Sequence, residues 1–272
     1  MTVFLRIISA EMTKQQRQLF ADKRVFFSLL LWPLLLLMSS YYMFKPFSLG
    51  ATTGTGKVFF ADQHALTVFV LTGQLGYTFM YAMTESAWRL TWERWMGTLE
   101  AIILTPVSRL AFLVGESLAF LLQGVWMYTV MFSVLVLFSG YQGLETVYIG
   151  LAGLGFMVLA SISWGTLMNS LFLLSRDVGL MFQLFQDPVN FFAGIQVPVT
   201  VLPLLARAIG IAIPLTSALQ MVRLGFVTGN PFAATTWIIS LLLSSVAAIT
   251  VGWRIMAWAE DRARTDGTLS FY

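Results

Sequence analysis

The chain has 272 residues, with Lys+Arg 16 against Asp+Glu 13, 58% apolar side chains and only 11% charged ones. A soluble domain carries roughly a quarter charged residues, so a water-soluble globule is excluded and lipid must be part of the solvent. Cys 0 removes disulfides, thiolate nucleophiles and cysteine-held metals. A single histidine, His64, leaves no His-based catalytic dyad, and the net charge of +3 is scattered among apolar spans rather than gathered on a nucleic-acid face.

Residues 1–24 carry Arg6, Lys14, Arg17, Lys23 and Arg24, with Phe4, Ile8, Met12 and Leu19 at near-helical spacing. They predict an amphipathic interface helix on the membrane surface. The apolar stretch that follows has no small-residue cleavage pattern, so it reads as an uncleaved anchor with a kink at Pro33. Charge-free runs cover Val25–Phe44, Ala65–Thr84, Ser117–Leu144, Thr146–Ser175 and Leu224–Trp253, and a membrane helix needs about 20 residues. Six transmembrane helices are expected, over 25–44, 65–87, 110–139, 146–174, 178–197 and 233–256, in one transmembrane domain spanning 1–272. The fold class is an all-α polytopic membrane protein.

With the N-terminus in the cytoplasm, the five basic residues of 1–24 together with Arg89, Arg94, Arg109, Arg176, Arg254, Arg262 and Arg264 fall inside. Lys45, Lys57, Arg207 and Arg223 fall outside, which satisfies the positive-inside tendency and places both termini in the cytoplasm. Between spans five and six, Pro198, Pro203, Pro214 and Pro231 interrupt an apolar segment. Proline removes a backbone donor and clashes with the preceding turn, so 198–231 is expected to form short re-entrant helices on the outer side, where irregular backbone needs cover from protein or water.

Gly54-Thr55-Gly56-Lys57 lacks the Walker pattern, because Ala51 stands where the first Gly belongs and Val58 where Ser or Thr belongs. No ATP site is expected in the chain, and the chain is not expected to be an enzyme. The segment from Trp92 to Thr105 behaves differently. Leu99, Ile102 and Ile103 share a helical face, Glu93, Arg94 and Glu100 supply charge, Gly97 permits close backbone approach and Pro106 ends the helix. A short helix over 92–105, parallel to the bilayer, suits a groove on a soluble partner or a plain interfacial connector.

The run Glu93–Arg109, with Gly97-Thr98-Leu99-Glu100 and Thr105-Pro106-Val107-Ser108-Arg109, resembles the signature of the type 2 ABC exporter permeases, a family of bacterial drug, lipid and polysaccharide exporters. A second block, Val197-Pro198 through Leu202-Pro203 to Ile213-Pro214-Leu215-Thr216 and then Arg223, is similar to the family's pattern after the fifth span. The resemblance implies that 92–105 is a cytoplasmic coupling helix docking on a separate ABC ATPase subunit. It implies a working unit of two ATPases and two permeases, the second permease being a homodimer partner or a close paralogue. Glu93, Arg94, Gly97, Thr98, Glu100 and Arg109 become the ATPase contacts, although Trp95-Met96 departs from the family's usual residues. No cofactor is then bound directly, ATP and Mg belonging to the partner, and the location is the prokaryotic plasma membrane.

Phe 23, Trp 9 and Met 14 suit an amphipathic, lipidic or drug-like cargo leaving the cytoplasm. A polysaccharide or glycoconjugate exporter and a proton-coupled secondary transporter are the alternatives. Glu85 and Glu116 fall near cytoplasmic span ends, within reach of Arg89 or Arg109. Asp187 falls inside the fifth span, where it either caps a helix break at Pro188 or faces a central path and binds the polar or cationic part of a cargo. Gly150, Gly153 and Gly155 offer close helix approach, between two copies or within one chain.

Overall fold

The computed structural model describes residues 2–19, 27–48, 63–97, 109–140, 143–174 and 178–265. Among these the chain is helical without a strand. The helices are α1 (Thr2–Leu19), α2 (Leu31–Phe44), α3 (Gln63–Trp95), α4 (Arg109–Ser139), α5 (Leu144–Leu174), α6 (Val178–Phe192), α7 (Leu204–Ala212), α8 (Pro214–Thr228) and α9 (Thr235–Thr265), with 3-10 turns at Lys45–Ser48 and Val199–Val201. Four stretches are long and apolar enough to cross a membrane: Gln63–Glu93, Ala111–Ser139, Leu144–Phe172 and Thr235–Trp258. The pair α7 and α8, bent by 94°, makes a fifth if it counts as one broken span. The all-helical membrane class read from composition is therefore the observed one.

The helices answering to the expected first and fifth spans are short. α2 has 14 residues and α6 has 15, or about 21 and 22 Å of helix, against a hydrocarbon core of about 30 Å. At Pro33 the expected kink is a break: turn geometry at Leu29–Leu30 precedes α2, one turn before the proline, whose ring clashes with the carbonyl four residues back. Within 198–231, Ile213 is extended (φ −85°, ψ 119°) and Pro214 opens α8 at its first position, where a missing N–H costs nothing. Thr216 Oγ1 donates to the Gly210 carbonyl at 2.6 Å across the bend. Gly229, at φ 73°, ends α8 in the left-handed region.

α3 occupies the centre, packed by α2, α4, α5, α6 and α8, while α5 adds α9 and α1 lies along α4. The sequence of α3 explains its position. Gly73, Gly76, Ala82, Ser86 and Ala87 keep its surface low, which is how helices approach closely without a hydrophobic drive between them. Its hydroxyls mostly return to their own backbone, as when Thr78 Oγ1 donates to the Leu75 carbonyl at 2.8 Å. Asn169 of α5 ties three helices: its Nδ2 donates to Ser117 Oγ at 3.2 Å and its Oδ1 accepts from Ser86 Oγ at 3.2 Å. On the same three helices Phe79, Met83, Phe120 and Phe172 are almost fully buried.

Gly150 and Gly153 serve contacts within the chain. A side chain at Gly150 would meet the Phe132 ring, and one at Gly153 would meet Tyr128 and Val222, whereas Gly155 faces open space. Tyr128 exploits the gap, donating from its hydroxyl to the Gly150 carbonyl at 2.9 Å.

The two ends of the bundle are distinct. At one end His64 Nε2 donates to the Ser139 carbonyl at 2.9 Å, joining the start of α3 to the end of α4. Nearby, Arg223 of α8 donates from Nη1 to the Gly194 carbonyl at 2.7 Å, from Nε to Thr72 Oγ1 at 3.1 Å and from Nη2 to the Phe69 carbonyl at 3.3 Å. Its guanidinium carbon stands 3.9 Å from the Phe69 ring centroid. Gly73 makes this possible, since a Cβ there would overlap the Ile195 carbonyl oxygen. Gly73→Ala should therefore push the 194–195 turn off α3 and strain the arginine clamp, at a cost of about 2–3 kcal/mol. Gly155→Ala should be close to neutral. Thermal unfolding of the two variants in the same detergent checks the contrast, and equal midpoints would refute it.

Candidate functional site

At the end opposite the arginine clamp, α1 meets the end of α3 and the start of α4. Lys14 Nζ lies 2.8 Å from Glu11 Oε2 and 2.6 Å from Glu93 Oε1, and Glu116 of α4, only 2% exposed, faces the same ammonium. Burial by itself would lower the Lys14 pKa. The field of Glu116 and the hydrogen bonds to Glu11 and Glu93 outweigh it, holding the group above its ordinary value of 10.5. Its charged-state stabilisation is thus complete below that value and fades only as pH climbs past the raised one.

The cation beside Glu116 is Lys14 of the interface helix, and the side chain of Arg109, which the sequence suggested as a partner, lies outside the described residues. Glu93, one of the expected ATPase contacts, pairs with Lys14 of α1. α3 runs on through Trp92 to Trp95, so the start expected for a separate coupling helix at residue 92 belongs to the long helix. Gly97, exposed and at φ 72°, follows it. Trp92, Trp95 and Met96 are all exposed there, with the two indoles 5.8 Å apart. The side chain of Arg94, all of Thr98 and Glu100, and the rest of the expected coupling helix to 105 lie outside the described residues.

A second feature lies between α3 and α6. Tyr77, Tyr81, Glu85 and Trp88 recur along one side of α3, with the two tyrosine rings 6.0 Å apart. The Tyr81 hydroxyl meets the Glu85 carboxylate, and Arg89 lies in the field of that carboxylate as the sequence suggested. Tyr81, Glu85 and Trp88 line a cavity of about 360 Å³ with Gly179 and Gln183 of α6. One turn further along α6 is Asp187, which is exposed and acts on Tyr77, itself in contact with the Trp32 indole. α6 continues through Pro188 to Phe192, so the helix break that Asp187 was expected to cap does not form at that point. Among the described residues Asp187 makes no hydrogen bond or ion pair.

The same polar arc of α6 also carries side chains that turn inward. Gln186 is 3% exposed and accepts a hydrogen bond from Thr84 Oγ1 of α3 through its Oε1, while its Nε2, the Asn190 Oδ1 and the Gln74 Nε2 are buried without a partner among the described residues. Sequence reasoning named Glu85 and Asp187 but missed Tyr81, Trp88 and Gln183. The signal was present in spacing: 77, 81, 85 and 88 follow one helical stripe, as do 179, 183 and 187. No group of His, Asp and Glu suited to a metal ion occurs among the described residues. No protein-family model matches the chain, and no curated protein matches it either.

The Lys14 cluster yields a direct test. Lys14→Met leaves Glu11, Glu93 and Glu116 facing one another without a cation, and should destabilise the protein by about 1–3 kcal/mol, between the exposed and buried ion-pair ranges. Lys14→Arg should recover most of the loss. A thermal midpoint unchanged in Lys14→Met would show that the cluster contributes nothing.

Proposed function

We propose that the chain is the transmembrane permease of an ATP-driven exporter of the type 2 ABC class, moving an amphipathic, lipidic or drug-like substrate out of the cytoplasm. The observation that carries this reading is the residue block 93–109 at its position in the chain, on the connection between two long apolar helices, at the same end as the basic interface helix α1. The bent α7–α8 pair at the other end supports it, because a proline-broken pair bent by 94° suits an outer re-entrant segment better than a straight span. In this reading α2 and α6 complete six spans with both termini in the cytoplasm of a prokaryotic cell. Two ATPase subunits bind ATP and Mg, and a second permease, identical or paralogous, closes the path with the exposed α6 face that carries Asp187.

The chain's own residues then divide the work. Trp92, Trp95 and Met96 offer an apolar docking surface where α3 ends, Gly97 sets the direction of the chain leaving it, and Thr98, Glu100, Arg94 and Arg109 supply polar contacts to the ATPase. Lys14 and Glu93 fasten this end of α3 to α1, so that a displacement imposed by the ATPase reaches the interface helix and the bundle together.

Two measurements bear on this. Glu100→Arg or Gly97→Trp should abolish ATP-driven transport and the stimulation of ATPase activity while membrane expression holds, because both alter a soluble-partner surface. Wild-type coupling in both variants would sink the docking surface. Since the native chain has no cysteine, a single cysteine at Thr268 should stay protected from an impermeant thiol reagent in intact cells and react after permeabilisation. Labelling in intact cells would overturn the topology.

A further inference from the structure

We propose that the α3–α6 cavity is a binding site for the ammonium head of a cationic amphiphile, which deepens the exporter reading and rests on it for the meaning of the bound molecule. The cavity is about 360 Å³ and is lined by Tyr81, Glu85, Trp88, Gly179 and Gln183. That volume suits a small head group with its first carbons. Pockets of this size ordinarily combine apolar walls with a few placed polar groups.

The lining selects charge. Glu85 supplies a carboxylate in the lining itself, and Asp187 is exposed one turn along α6 from Gln183, outside the lining. Arg89 is the basic group in the field of Glu85, but no ion pair within 4.0 Å joins them. A carboxylate in such surroundings is costly without a cationic counterpart, and an anionic cargo would be repelled by Glu85. Tyr81 and Trp88 add aromatic rings, which attract quaternary or tertiary ammonium groups to their faces. A neutral sugar would use the rings and Gln183 but would gain nothing from the charge of Glu85. The tail has a place as well: Trp32 of α2 and Leu184 of α6 are exposed apolar side chains on the helices that flank this part of α3. The head would then sit between α3 and α6 with its chain directed toward lipid.

The test uses the full-length chain in lipid nanodiscs and three radiolabelled probes: dodecyltrimethylammonium, the uncharged dodecyl chain ending in a tert-butyl group of the same shape, and dodecyl glucoside. Binding is taken above that of empty nanodiscs. The ammonium probe should bind saturably and the other two should not. Glu85→Gln should weaken it about tenfold, which corresponds to about 1.4 kcal/mol, and Trp88→Leu should weaken it severalfold while Trp88→Phe keeps most of the affinity. Trp88→Phe thereby guards against a loss that reflects misfolding. Equal binding of the uncharged probe, preference for the glucoside, absence of saturable binding, or unchanged affinity in Glu85→Gln would each overturn the proposal. No ATPase is needed for this measurement. Intact ammonium binding by a chain that recruits no ATPase subunit would defeat the exporter reading and leave the site standing, and coupled transport without ammonium selectivity would do the reverse.

Discussion

An arginine inside an apolar bundle must have its donors met by protein, because lipid offers nothing in return, and the arrangement around Arg223 meets that demand with backbone. Two of its three acceptors are carbonyls, those of Phe69 and Gly194, and the third is the Thr72 hydroxyl. Carbonyls become available only where a helix is approached very closely or the chain leaves helical geometry. Gly73 provides the close approach and Gly194, at φ 81°, provides the departure. α8 is therefore held to α3 by a contact that no apolar packing would replace with the same directionality. Losing one acceptor of this half-buried guanidinium costs about 1–3 kcal/mol.

The class of fold was legible because it follows from quantities that survive without tertiary knowledge. Charge-free length predicted the long helices, and Ala111–Ser139 and Leu144–Phe172 fall within two residues of the expected limits of those spans. Proline density predicted broken helices after α6. Helix ends set by tertiary contact were less legible. α3 was expected to finish near residue 87 and continues to Trp95, and within the added turns Glu93 makes an ion pair with Lys14. That pair joins residues almost eighty positions apart, and no local pattern announces it. Glu116 was read with Arg109 for the same reason: sequence proximity suggested a partner, while packing of α1 along α4 supplied another.

The candidate site was half legible. Acidic residues in apolar runs stand out one at a time, and Glu85 and Asp187 were found in that way. The cavity beside Glu85 was not visible, since it depends on α6 lying against α3 with Gly179 and Gln183 in the lining. The aromatic residues beside them were hidden by composition: in a chain with 23 Phe and 9 Trp, Tyr81 and Trp88 differ from lipid-facing aromatics only by position. Spacing of 77, 81, 85 and 88 on one helix and of 179, 183 and 187 on another was the available clue. It becomes decisive only when the two helices are known to be neighbours.

α6 shows how far a membrane helix departs from the soluble rule and why the departure is informative. Its exposed side carries Leu180, Leu184 and Phe191, as a lipid-facing surface should, but the same side also carries Gln183 and Asp187. Its buried side carries Gln186 and Asn190, each with an amide atom that has no partner among the described residues. At 3.6 residues per turn Gln183, Gln186, Asp187 and Asn190 fall on one arc of α6, at the boundary between its exposed and its buried surface. Pro188, placed between Asp187 and Val189 without ending the helix, removes one backbone donor from that stretch. The carbonyl four residues earlier, that of Leu184, is thereby left without its helical donor, adding an acceptor one turn from Asp187. That acceptor and the Asp187 carboxylate lie about one turn apart on the helix whose Gly179 and Gln183 line the α3–α6 cavity.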